Sequence, residues 1–94
     1  MYDVVFTEDA KTDVKLLKQK APYAFKKLTK IITELEQHPR TGTGQCEQLK
    51  HYSEETWSRR LDKRHRVVYR IYDTDVEVLV VSAFGHYENK QTNK

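Results

Sequence analysis

The feature that most constrains this chain is a single change in the spacing of its apolar residues, at Trp57. Upstream, Ala10, Val14, Leu17 and Ala21 recur at i, i+4, i+7 and i+11, the stripe of one amphipathic helix. Ala24, Leu28, Ile31, Ile32 and Leu35 make a second stripe, which Pro22 is placed to open and Gln37-His38-Pro39 to stop, so two helices form an αα-hairpin. Ahead of them Tyr2 to Phe6 is a short β-branched and aromatic run, and Thr7 followed by Glu8 and Asp9 reads as an N-cap with acidic residues in the first helical turn. Downstream of Trp57 the period is two. Trp57 to Leu61, Arg66 to Tyr72 and Val76 to Phe84 read as strands, joined by turns at Asp62-Lys63-Arg64-His65 and Asp73-Thr74-Asp75. Between Pro39 and Tyr52 the periodicity lapses and Gly42 and Gly44 enter, which predicts a loop or a short edge strand. The order predicts an α+β domain: an N-terminal strand, then an αα-hairpin packed on one face of a twisted antiparallel β-sheet.

With 94 residues there is room for one domain, expected over residues 1–87, and a polar C-terminal tail over 88–94. No apolar run approaches the roughly 18 residues of a membrane span, and Met1 to Phe6 lacks the basic region of a signal peptide. The single cysteine, Cys46, allows no internal disulfide and no paired-cysteine zinc site. A cytoplasmic protein with no membrane association, no metal and no cofactor is expected.

Charge is distributed unevenly. Residues 1–56 carry nine Lys/Arg against nine Asp/Glu, whereas residues 57–72 carry Arg59, Arg60, Lys63, Arg64, Arg66 and Arg70 against Asp62 alone. Five arginines in sixteen residues form the footprint of a surface made for phosphates, although such patches also dock acidic proteins. In the middle strand Val67, Tyr69 and Ile71 alternate with Arg66, Val68 and Arg70, so one face is expected to pack on the helices and the other to offer arginine to solvent.

On or beside that open face the pattern puts Glu47, Lys50, Arg60, Arg66, His86 and Tyr87. These are the parts of a metal-free ribonuclease. A base takes the proton of a ribose 2′-hydroxyl, which attacks the adjacent phosphate, while an acid protonates the departing 5′ oxygen and cations hold the added charge. Glu47 suits the base, His86, with an ordinary pKa of about 6.5, suits the acid, and Arg66 suits a bidentate grip on phosphate. Spacing alone does not single out this assignment, because a chain with 17 Lys/Arg and four His permits others. Glu47 and Lys50 also read as solvated surface residues, Trp57 as core or interface, Tyr69 as core, and His51 and His65 as turn residues that need no catalytic role. Cys46 lacks the helix N-terminus or orienting partner of a thiol nucleophile.

The ordered series Gly42-Thr43-Gly44-Gln45-Cys46-Glu47-Gln48-Leu49-Lys50-His51, Trp57-Ser58-Arg59-Arg60-Leu61, His65-Arg66-Val67-Val68-Tyr69 and His86-Tyr87 closely resembles the Txe/YoeB toxins of the RelE superfamily. The chain departs from the family pattern in having Gln45-Cys46 in place of Lys-Pro before the glutamate, and seven residues after Tyr87. The resemblance implies a RelE-like fold and a type II toxin that enters the ribosomal A site and cleaves bound mRNA without metal, leaving a cyclic or 3′ phosphate and a 5′-hydroxyl. It implies Glu47 as general base, Arg66 as the transition-state arginine, His86 as general acid and Tyr87 beside it. Lys50 and Arg60, with Arg59 and Arg64 of the same cluster, are then the residues that hold RNA. Its implied partners are the ribosome, mRNA and a YefM/Axe-like antitoxin, the toxin standing as a homodimer or in a toxin–antitoxin hetero-oligomer. ParE-like proteins resemble this fold but poison DNA gyrase, so a non-enzymatic gyrase inhibitor is the alternative, and a plain RNA-binding module a third reading. The joint presence of Glu47, Arg66 and His86-Tyr87 favours the nuclease, since a gyrase inhibitor requires none of them.

Overall fold

The computed structural model describes residues 1–85; His86, Tyr87 and the tail lie outside the described residues. The elements run β1 (Asp3–Phe6), α1 (Glu8–Lys20), α2 (Pro22–Gln37), β2 (Glu47–Leu49), β3 (Thr56–Arg60), β4 (Arg66–Tyr72) and β5 (Glu77–Ser82). Thr7 caps α1 as its composition predicts, its hydroxyl accepting from the Ala10 N–H at 3.0 Å, and Pro22 opens α2. The apolar stripes of both helices face the sheet. Leu17, Leu28, Ile31 and Leu35 are fully buried with Val67, Tyr69, Val78 and Val80, and together with Leu61 and Ile71 they belong to one continuous core. No described helix is long and apolar enough to cross a membrane.

The sheet order is β1-β5-β4-β3-β2. The meander β2 to β5 is antiparallel, but β1 pairs parallel with β5, Val4 opposite Val78 and Phe6 opposite Val80, so the sheet is mixed. The apolar period reveals that Tyr2 to Phe6 is a strand and is silent about direction. That direction is set by the helical hairpin, which carries the chain from the end of β1 across the sheet. Val76 also departs from expectation. It lies in the turn before β5 at φ +50°, with its N–H on the Asp73 carbonyl at 3.1 Å and its own carbonyl accepting from Asp3.

Candidate active site

Pairing registers put Glu47 and Leu49 of β2, Thr56, Ser58 and Arg60 of β3, and Arg66, Val68 and Arg70 of β4 on the sheet face away from the helices. Glu47 begins β2 opposite Ser58, and Arg66 begins β4 opposite Arg60. The Arg66 Nη2 donates to Glu47 Oε1 at 3.3 Å; the arginine side chain is 10% exposed and the carboxylate 57%. A proton acceptor open to solvent thus stands beside a largely buried guanidinium. Arg70 farther along the face is engaged by Glu54 at 3.4 Å, and the Tyr72 hydroxyl donates to the same carboxylate at 2.8 Å.

Glu47 is delivered by the loop after α2, and the glycines explain how. Gly42 and Gly44 have φ of +130° and +90°. A Cβ on Gly42 would run into the Glu34 carboxylate, and one on Gly44 would come within 2.6 Å of the Arg60 carbonyl oxygen. The Gly44 carbonyl accepts from the Arg60 N–H, so the loop is laid directly along β3 before Glu47 pairs with it. A buried polar cluster secures the other side. Arg59 donates from Nη1 to Glu34 Oε1 at 2.6 Å, from Nη2 to the Thr41 and His38 carbonyls at 2.8 and 3.2 Å, and from Nε to the Tyr69 hydroxyl at 3.0 Å. The Thr43 N–H and hydroxyl close the cluster on Glu34 at 2.9 and 2.6 Å, and the Tyr69 hydroxyl donates to the Pro39 carbonyl at 2.7 Å. Burial pushes the Glu34 carboxyl up, but Thr43 and the Arg59 guanidinium outweigh it and hold the group below the usual carboxylate range. Burial among these groups raises the Tyr69 phenol.

Arg59 therefore corrects an expectation. Grouped with the RNA-holding arginines, it has a side chain with 0% exposure and spends its donors inside the protein, because it shares the helix-facing side of β3 with Trp57. Arg60, one residue on, is exposed and on the face away from the helices. Lys50 is exposed just beyond β2, where it lines a cleft with Leu49, Tyr52 and Glu54. Arg64 is not brought to Glu47 and Arg66: it lies in the β3–β4 turn and lines a groove with Lys20 to Ala24, at the helix side of the sheet end. His86 and Tyr87 lie outside the described residues, but Gly85 before them is tied to the site, its carbonyl accepting from the Arg66 N–H at 3.1 Å. Trp57 and Tyr69 pack with the core, as their surroundings in sequence imply.

Two residues of the site escaped sequence reasoning. Ser58 sits between Glu47 and Val68 with a buried hydroxyl that has no hydrogen-bond partner among the described residues. Its signal is the polar alternation Thr56, Ser58, Arg60. His65, read as a turn residue, is 8% exposed, and its Nδ1 accepts the Gly85 N–H at 2.8 Å.

A family model described as YoeB-like toxin of bacterial type II toxin-antitoxin system matches residues 6–87. Among curated relatives, Toxin YoeB of Synechocystis is 33% identical over 85 residues, which cover 90% of this chain and 96% of that protein. Among solved structures, a YoeB/ParE toxin from Agrobacterium tumefaciens superposes with a TM-score of 0.81 at 27% identity, covering 90% of this chain and 99% of the other. A YoeB-YefM complex from Staphylococcus aureus superposes with a TM-score of 0.75 at 26% identity, covering 93% and 99%. The match to the family model spans the whole stretch that carries Glu47, Arg60 and Arg66, and the chain belongs to the YoeB-like toxins of bacterial type II toxin–antitoxin systems.

Proposed function

We propose that this toxin is a ribosome-dependent endoribonuclease that cuts mRNA in the A site by 2′-hydroxyl attack. The observation that carries the reading is the solvent-exposed Glu47 carboxylate held 3.3 Å from the largely buried Arg66 guanidinium on the sheet face away from the helices. Glu47 takes the 2′-hydroxyl proton, and the 2′ oxygen forms a bond to phosphorus as the bond to the 5′ oxygen breaks. His86 gives its proton to that oxygen, leaving a 2′,3′-cyclic phosphate and a 5′-hydroxyl. Arg66, already largely desolvated, turns from Glu47 to the phosphate, where charge builds up in the transition state. Tyr87 orients or stacks on the substrate, and Arg60 and Lys50 hold flanking phosphates. Every proton in this scheme moves through a side chain, so no step calls on a metal ion at the scissile phosphate.

The family relationship and the YoeB-YefM complex of the Staphylococcus aureus relative support an antitoxin partner of the YefM kind, in a hetero-oligomer or alternating with a toxin homodimer. An acidic segment laid on the open face would cover Glu47 and Arg66 together. The mechanism is tested by replacing the nucleotide whose 2′-hydroxyl attacks with its 2′-deoxy form in mRNA on a programmed ribosome. Binding should persist and cleavage at that site should stop. Continued cutting there would overturn the mechanism.

A further inference from the structure

We propose that His65 is a positioning residue for this reaction, holding through Gly85 the point at which the chain passes to His86-Tyr87 beside Arg66; the role rests on the nuclease reading above. The main chain of His65 is consumed by the β3–β4 turn, its N–H on Asp62 Oδ1 at 2.7 Å and its carbonyl accepting from Leu61 at 2.9 Å. The imidazole is therefore locked to the sheet end, and its ring lies tilted against Phe84 with centroids 4.6 Å apart.

Both polar main-chain groups of Gly85 are bound by consecutive residues. Its N–H goes to His65 Nδ1 at 2.8 Å, and its carbonyl accepts from the Arg66 N–H at 3.1 Å. That carbonyl ends the described chain, and its hydrogen bond ties that end to the first residue of β4. Gly85 has φ +84° although a Cβ there would meet nothing within 4 Å, so glycine is needed for the backbone bend and not for space. Upstream, the Ala83 N–H is held by Asp13 Oδ2 at 2.9 Å. The segment before His86 is thus fastened on both sides, and the fastening nearest His86 runs through the side chain and main chain of the two residues that begin the H-R-x-V-Y motif.

The imidazole does this because Nδ1 offers an unprotonated acceptor two bonds from Cβ, while the ring fills the space over Phe84. Asn places a carbonyl oxygen at the same number of bonds, whereas Phe keeps the ring and has no acceptor. The test uses the full chain on mRNA-programmed ribosomes, with single-turnover cleavage at saturating toxin, ribosome affinity, and hydrogen exchange of the Gly85 amide followed by NMR. His65→Phe should cut roughly 10- to 100-fold more slowly, with affinity within about two-fold of wild type, because a small displacement of a reacting group costs rate and not binding. Its Gly85 amide should exchange at least about 10-fold faster, and His65→Asn should recover both properties. A residue that serves the fold alone would lower the melting temperature without changing the saturated rate. If His65→Phe does not fold, His65→Gln, with its acceptor one bond farther out, takes its place: slowed Gln beside active Asn supports the role, and equal rates overturn it. A wild type that leaves ribosome-bound mRNA uncut overturns the nuclease reading and this role together; an active wild type matched by His65→Phe overturns this role alone.

Discussion

Successive side chains of β3 alternate between sheet faces, so Arg59 and Arg60 meet opposite physical demands. Removing the fully buried Arg59 guanidinium leaves the Glu34 carboxylate, the Tyr69 hydroxyl and two carbonyls each short of a donor. Arg59→Ala should therefore cost about 3–5 kcal/mol in urea unfolding, most of what a small domain possesses. Arg59→Lys should not rescue it, since a single ammonium cannot reproduce the fork. Arg60→Ala should change stability by less than about 0.5 kcal/mol, yet lower the salt dependence of ribosome or RNA binding by about one ion. An unchanged salt slope would remove Arg60 from the RNA path. The alternation that separates the two arginines is present in the sequence, for Trp57, Arg59 and Leu61 fall on one side. The clustering of charge was the louder signal and pointed Arg59 outward. Val76 is the converse case: a β-branched residue whose propensity reads as strand, held at φ +50° between a local turn bond to the Asp73 carbonyl and a long-range bond from the Asp3 N–H.

At the scale of elements, the segment from α2 to β2 works as a strut that carries Glu47 to Arg66, and Glu34 is the joint in it. Because its folded-state pKa is depressed, Glu34 contributes stability that is fully present above the unfolded carboxylate value of about 4.3 and is lost as pH falls through the folded value. Glu34→Gln should thus be less stable than wild type at pH 7, and the two melting curves should converge as the pH is lowered below the ordinary carboxylate range. Parallel curves would show that Glu34 titrates alike in folded and unfolded chains. The helices were legible because each carries an uninterrupted apolar stripe, and β4 because its run is β-branched and aromatic with Val67, Tyr69 and Ile71 at every second position. The parallel pairing of β1 was not, since the period of two is common to both directions. Nor was the meeting of Glu47 with Arg66, 19 residues apart, since it depends on a three-residue strand whose register is set by the Gly42 and Gly44 loop.

For the molecule as a whole, the order β1-β5-β4-β3-β2 places the first strand beside the last. Val4 meets Val78 and Phe6 meets Val80, contacts that span nearly the whole chain and close the core over Leu17 and Leu35. Pairings of such long sequence separation form late, after the intervening chain has been ordered. During synthesis β1 leaves the ribosome first and finds no strand partner until β5 has followed it out. Stalled nascent chains in which Ser82 has not emerged should remain open to protease across both helices, and a C-terminal spacer that pushes β5 into solvent should bring protection; protection before that point would contradict this order of assembly. The parallel edge strand consequently acts as a latch: the sheet is complete only once β5, the last of the described strands, has been made and has met β1.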